Sequence, residues 1–206
     1  MDRSEKFWDK IAVRYSKQPI ADEAAYQKKL QITREYFQPE MEVLEIGCGT
    51  GSTALLHAPY VKHIRATDIS AKMIAIAQEK CKAANIENVT FEQSSIDDLK
   101  VGDQSLHMVL ELNILHLLED KESAMRQVYN MLKPGGIFVT STVCLGDTMK
   151  YFKLIAPIGR FFGFMPLLKV FTAQELVNNF VDAGFEIEHQ WQPSKDCVFI
   201  VAKKPA

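Results

Sequence analysis

The feature that most constrains this chain is a series of short apolar runs, each of strand length and most of them followed by a segment with helical spacing. Val43 to Ile46, His63 to Thr67, Val89 to Phe91, Leu106 to Leu110 and Gly136 to Val143 read as strands. Helical patterns fill Ser70 to Ala84 and Lys121 to Leu132, the second closed by Pro134 and Gly135, and a helix follows each of the first two strands. Strand and helix in alternation require βαβ crossovers, and hence a mostly parallel sheet with helices on both faces. The end of the chain breaks this pattern. After a helix at Ala173 to Ala183 come Phe185 to Trp191 and Cys197 to Ala202, joined by only Gln192 to Asp196, so they form a hairpin with one strand antiparallel to the rest.

Two helices precede the first strand. Phe7, Ile11 and Tyr15 share one face of Ser4 to Lys17, and Tyr26, Leu30, Thr33 and Phe37 share one face of Ala21 to Phe37. With 206 residues, the chain is expected to form one domain, 1–206, with residues 1–40 as a helical cap. Its 24 Lys and Arg against 26 Asp and Glu create no basic field for nucleic acid. Cys48, Cys81, Cys144 and Cys197 are widely spaced, and Met1 to Lys10 lacks an apolar signal core, so a reducing cytoplasmic setting is expected. His57, His63, His107, His116 and His189 have no zinc-like spacing, and no metal is expected.

The first strand ends in Glu45-Ile46-Gly47-Cys48-Gly49-Thr50-Gly51. Glycines at a strand-to-helix turn let the backbone bend sharply and let a ligand approach, and the helix beyond offers free N–H groups. A dinucleotide fingerprint would need glycine at position 52, where the chain has Ser52. Asp68 ends the second strand, where a carboxylate can accept bonds from ribose hydroxyls. The bland alternative is a ligand-free turn in which Asp68 caps the helix starting near Ser70.

V-L-E-I-G-C-G-T-G, then A-T-D-I-S, then L-K-P-G-G before a strand resembles the class I S-adenosylmethionine-dependent methyltransferases, in order from about Val43 to Val143. The resemblance implies a Rossmann-like seven-stranded sheet whose last strand is antiparallel, and S-adenosylmethionine as cofactor. It implies that Gly47, Cys48, Gly49 and Gly51 pack against the methionine part, that Glu45 supports the loop, that Asp68 holds the ribose, and that Ile69 and Met73 flank the adenine. Where the family often has Asp after the third strand, this chain has Ser95, followed by Ile96 and then Asp97-Asp98. Adenine recognition at Ser95 and Ile96 and a plain polar loop are equal readings there. Glu111 falls where cofactor and acceptor would meet, and no Asn/Asp-Pro-Pro-aromatic segment of the base-modifying enzymes follows it.

Leu115-His116-Leu117 resembles a segment of small-molecule methyltransferases in which the histidine lies near the cofactor or acceptor, although a histidine between leucines is also an ordinary packed side chain. In-line methyl transfer needs orientation more than acid–base help. If a base is used, the candidates are His116, Tyr15 and Tyr26. F-W-D-K-I-A-x-R-Y near the start is similar to quinone-biosynthesis methyltransferases, a pointer to lipid-like acceptors. Residues 148–171 hold Phe152, Phe161, Phe162, Phe164 and Phe171 with Lys150, Lys153, Arg160 and Lys169 and no acid. Three readings stand for this segment: helices packed over the sheet edge, a hydrophobic lid, or a surface resting on an anionic membrane. The expected function is methyl transfer to a small, partly apolar acceptor. The rivals are an NAD(P)-dependent oxidoreductase and a non-catalytic adenosylmethionine-binding partner protein. The sequence leaves the oligomeric state open.

Overall fold

The computed structural model describes residues 3–206; Met1 and Asp2, at the start of the expected N-terminal cap, lie outside the described residues. The chain divides into two compact units, one ending at Leu99 and the other running Lys100–Ala206. The first unit contains α1 (Arg3–Tyr15), α2 (Glu23–Arg34), β1 (Glu42–Ile46), α3 (Ser52–His57), β2 (His63–Asp68), α4 (Ala71–Ala83) and β3 (Val89–Gln93). The second contains β4 (Leu106–Leu112), α5 (Lys121–Met131), β5 (Leu132–Val143), α6 (Phe152–Phe161), α7 (Ala173–Asp182), β6 (Glu186–Ser194) and β7 (Cys197–Lys203). The seven-stranded sheet has the order β3-β2-β1-β4-β5-β7-β6.

In the first unit β1 pairs parallel with β2, and β2 parallel with β3. Parallel central strands are covered on both faces, so they read as unbroken apolar runs. Val43, Leu44, Ile64 and Ala66 are all but inaccessible, as are Met73 and Ala77 of α4. Asp22 caps α2 through the Ala25 N–H, and Ser70 caps α4 through the Met73 N–H.

In the second unit β4 and β5 are parallel, β7 runs antiparallel to β5, and β6 pairs antiparallel with β7, as the hairpin implied. The connection is tighter than expected, with only Lys195 and Asp196 between the strands. β6 is the edge strand, and its strict alternation of exposed and half-buried residues shows it. The core gathers around Phe138, Phe180 and Phe185, whose ring centroids are 5.3 to 5.9 Å apart. A capping box of Thr172 and Glu175 starts α7.

One sequence expectation is corrected. Leu132 begins β5 rather than ending α5, because it pairs with Leu106, and the bulge that follows takes up Lys133 to Gly136. Lys204 stops the helix there: its buried Nζ donates to the carbonyls of Tyr129 at 2.8 Å and Leu132 at 2.9 Å. Residues 94–105 join β3 to β4 through turns with no crossover helix. Ser95 and Asp98 close a local turn there, with the Ser95 Oγ 2.7 Å from Asp98 Oδ2, a side-chain pattern that competes with helix.

The packing predicts a sharp contrast between two phenylalanines of the second unit. Phe180 is 0% exposed and Phe164 is 78% exposed. Phe180→Ala should lower unfolding free energy by about 3–5 kcal/mol, and Phe164→Ala by less than about 0.5 kcal/mol. Urea denaturation checks both.

Candidate cofactor site

The glycine loop is held from two sides. On the inner side, Asp68 accepts the Gly49 N–H on Oδ2 at 2.9 Å and the Ser70 N–H on Oδ1, also at 2.9 Å. One carboxylate therefore fastens the loop, the end of β2 and the approach to α4. Asp68 is not the helix cap of the bland reading, since Ser70 Oγ accepts the Met73 N–H at 3.1 Å. On the outer side, Lys80 of α4 donates to Thr50 Oγ1 at 2.9 Å and Ser52 Oγ at 3.1 Å. Burial raises the Asp68 pKa, while its bonds from backbone N–H groups pull the other way.

The glycines divide by role. Gly47 and Gly49 are partly open and adopt positive φ of 70° and 54°. A Cβ on Gly49 would meet only the Tyr15 ring, at 3.8 Å, so this backbone stays approachable. Gly51 is buried, and a Cβ there would fall 2.7 Å from Phe91 and 2.8 Å from Ala77. Gly51 thus lets α3 start close against β3 and α4. Cys48 is a packed small residue: its N–H bonds Thr67 O at 2.8 Å, and burial drives its thiol pKa well up. Such a thiol is no nucleophile.

Glu45 precedes the loop on β1. It is 3% exposed, Oε2 has no hydrogen-bond partner, and burial followed by Asp68 pushes its pKa up to about 8. A buried carboxyl oxygen without a partner fits a cationic group such as the ammonium of a methionyl moiety.

Several other candidates change standing. Met73 is 2% exposed and offers almost no surface to an adenine, while Ile69 is half-buried. The Ser95 hydroxyl donates to Asp98 Oδ2 at 2.7 Å, and the Ile96 side chain is buried.

Tyr15 and Tyr26 both come to the loop region. Tyr15 stands over Gly49, and partial burial together with Asp68 raises its pKa. Tyr26 Oη is 3.1 Å from Thr53 Oγ1 in the first turn of α3. Sequence reasoning missed the residue that places Tyr15. Asp9 of α1 accepts the Ser70 hydroxyl at 2.6 Å and the Lys72 N–H at 3.1 Å, which pins α1 to the start of α4. Neither Asp9 nor Lys80 carries a local signal, because their partners lie about 60 and 30 positions away.

In the second unit Glu111 lies within β4, fully buried, with both carboxyl oxygens unpartnered. Its register partner Thr140 also has a buried hydroxyl without a partner. His116 is 7% exposed, and burial lowers its pKa to about 4, so it is neutral at pH 7 and a weak base. Its carbonyl accepts the Lys169 N–H at 2.8 Å. Among the described residues no group of three or more His, Cys, Asp or Glu is placed to hold a metal ion.

The buried acids set a pH dependence. Burial raises the Glu111 pKa from its usual 4.5 to about 8. Between those values the unfolded chain releases a proton that the folded chain keeps, so stability falls as pH rises through that window and levels off above it. Glu111→Gln, which mimics the neutral acid, should flatten the decline in urea midpoint between pH 5 and 8. An unchanged slope would mean that this carboxyl ionises normally.

A model of the methyltransferase domain family matches residues 37–193. The uncharacterized methyltransferase YcgJ of Bacillus subtilis is 32% identical over 110 residues, 53% of this chain and 44% of that protein. Demethylmenaquinone methyltransferase of Listeria welshimeri is 26% identical over 140 residues, 61% of this chain and 58% of that protein. The chain thus spans about half the length of these curated relatives. The crystal structure of YcgJ superposes with a TM-score of 0.73 over 87% of this chain and 99% of that one, at 17% identity. With the strand order, the glycine loop and the acid at the end of β2 all in place, the chain belongs to the methyltransferase domain family, in the class I S-adenosylmethionine-dependent group.

Proposed function

We propose that this chain catalyses methyl transfer from S-adenosylmethionine to a small, partly apolar acceptor in the cytoplasm. The observation that carries the reading is the arrangement at the end of β1 and β2: a buried Asp68 locking a loop whose Gly47 and Gly49 backbone stays open, preceded by a buried Glu45 with an unpartnered carboxyl oxygen.

Bound there, the cofactor supplies a methyl group already activated by its sulfonium. The chain's residues bind and orient. With the backbone N–H groups of Gly49, Ser70 and Ile69 accepted, the Asp68 carboxylate still has acceptor capacity for a ribose hydroxyl. Glu45 would take an ammonium, and that charge would draw its proton off. Gly47, Gly49 and the half-buried Ile69 offer contact surface around them. Holding two reactants in line supplies on the order of 7–11 kcal/mol without a side-chain base. Tyr15, above Gly49, is the candidate to position the reacting groups, and His116 is assigned a packing role. The apolar acceptor is supported by the likeness to an enzyme named for demethylmenaquinone and by the phenylalanine-rich stretch at 148–171.

Isothermal titration should show binding of S-adenosylmethionine and S-adenosylhomocysteine and none of NAD. Heat from NAD alone would overturn the reading. Asp68→Asn should weaken adenosylhomocysteine roughly ten- to a hundredfold. It should also destabilise the fold by about 1–3 kcal/mol, because an amide cannot accept both backbone N–H groups. A folded variant with unchanged affinity would remove Asp68 from the cofactor site.

A further inference from the structure

Lys80 spends its donors on the glycine loop rather than on an acid. It stands in the last turn of α4, half-buried, and forms no ion pair with an acid among the described residues. Its Nζ instead reaches Thr50 Oγ1 at 2.9 Å and Ser52 Oγ at 3.1 Å, at a cost in burial that lowers its pKa. A lysine in the last turn of a helix is favoured by the helix dipole wherever its head points. The dipole therefore accounts for a charge at this position and not for the two hydroxyls it is turned towards.

The same helix grips the loop at a second point. Ala77 lies one turn before Lys80 and so on the same face of α4, and a Cβ on Gly51 would fall 2.8 Å from it. Close packing at Gly51 brings Thr50 and Ser52 within reach of the lysine. Asp68 fixes the other end through the Gly49 N–H at 2.9 Å. The stretch from Gly49 to Ser52 is thus bracketed, while Gly47 and Gly49 keep their partly open, left-handed backbone.

We infer that Lys80 is a positioning residue for the cofactor: acting through Thr50 and Ser52, it holds the loop in its receiving conformation before the cofactor arrives. The entropy of ordering the loop is then lost on folding and not again on binding, which raises affinity with no contact from the lysine to the ligand. The effect on affinity rests on the loop being the S-adenosylmethionine site, whereas the ordering of the loop by Lys80 does not.

Isothermal titration and residue-resolved amide exchange on the full chain test the two parts separately. Lys80→Met should weaken S-adenosylmethionine and S-adenosylhomocysteine alike, about five- to thirtyfold, with the loss in the entropy of binding. In the free variant the Gly51 N–H, which bonds the Cys48 carbonyl at 3.0 Å, should exchange at least about tenfold faster than in the unaltered chain. Thr50→Val with Ser52→Ala keeps the charge and removes its partners, so it should give the same loss, and adding Lys80→Met to that pair should cost nothing further. Lys80→Arg should restore most of the affinity, and each variant should melt within about 4 °C of the unaltered chain. Unchanged affinity in Lys80→Met, or Gly51 exchange as slow as in the unaltered chain, would overturn the inference. So would a further loss in the triple variant, or an effect on S-adenosylmethionine that S-adenosylhomocysteine does not share, which would make Lys80 a charge felt by the sulfonium. If the unaltered chain binds neither ligand, the reading of the site fails instead, and exchange at Gly51, which needs no ligand, still decides whether Lys80 orders the loop.

Discussion

The site rests on one carboxylate. Asp68 sits at the end of β2 with both oxygens bonded to backbone N–H groups, one from the glycine loop and one from the residue that caps α4. Burial opposes its charge, and the backbone bonds from Ser70, Gly49 and Ile69 favour it. The loop keeps its shape because its orphan N–H is spent on Asp68, and α4 starts where it does because Ser70 is fixed beside it. Through Ser70 the same constraint reaches Asp9, and with it the whole of α1. Tyr15 stands over Gly49 at the far end of that chain of contacts.

Much of this was legible in the sequence. Strands buried on both faces must be continuously apolar, so β1, β2 and β4 show as short runs, and the brief spacing before Cys197 forces a hairpin. Glu45, the glycine spacing and Asp68 could be read because loop geometry restricts which residues serve there. Roles were harder. Gly47 and Gly49 look the same in sequence as Gly51, yet only Gly51 has a phenylalanine and an alanine where its Cβ would be. Met73 and Ile69 share apolar character, and only packing separates the buried one from the half-open one. Asp9 and Lys80 act across long sequence separations, which leave no local pattern. The end of α5 was misplaced because Lys204, far along the chain, supplies its cap.

The second unit shows the opposite economy. It buries Glu111 without a partner inside β4 and leaves six large apolar side chains of α6 and the turn after it in water. Hydrophobic spacing alone could not have shown the second feature, because an amphipathic stripe looks identical whether it faces a core or a bilayer. The ion pairs of Arg160 and Lys169 with Glu119 decide which side turns inward. Two of the four basic residues that suggested a charged surface pair with Glu119, and a third, Lys153, lies near Glu175 at the start of α7.

The central claim is that the loop locked by Asp68 receives S-adenosylmethionine. Residue-resolved amide hydrogen exchange on the free chain and on the chain saturated with S-adenosylhomocysteine tests it most directly. Gly49 and Ser70 should already be protected in the free chain, and added ligand should slow exchange across 47–51 and 68–70. Rapid exchange at Gly49 in the free chain, or no change in these stretches at saturation, would contradict it.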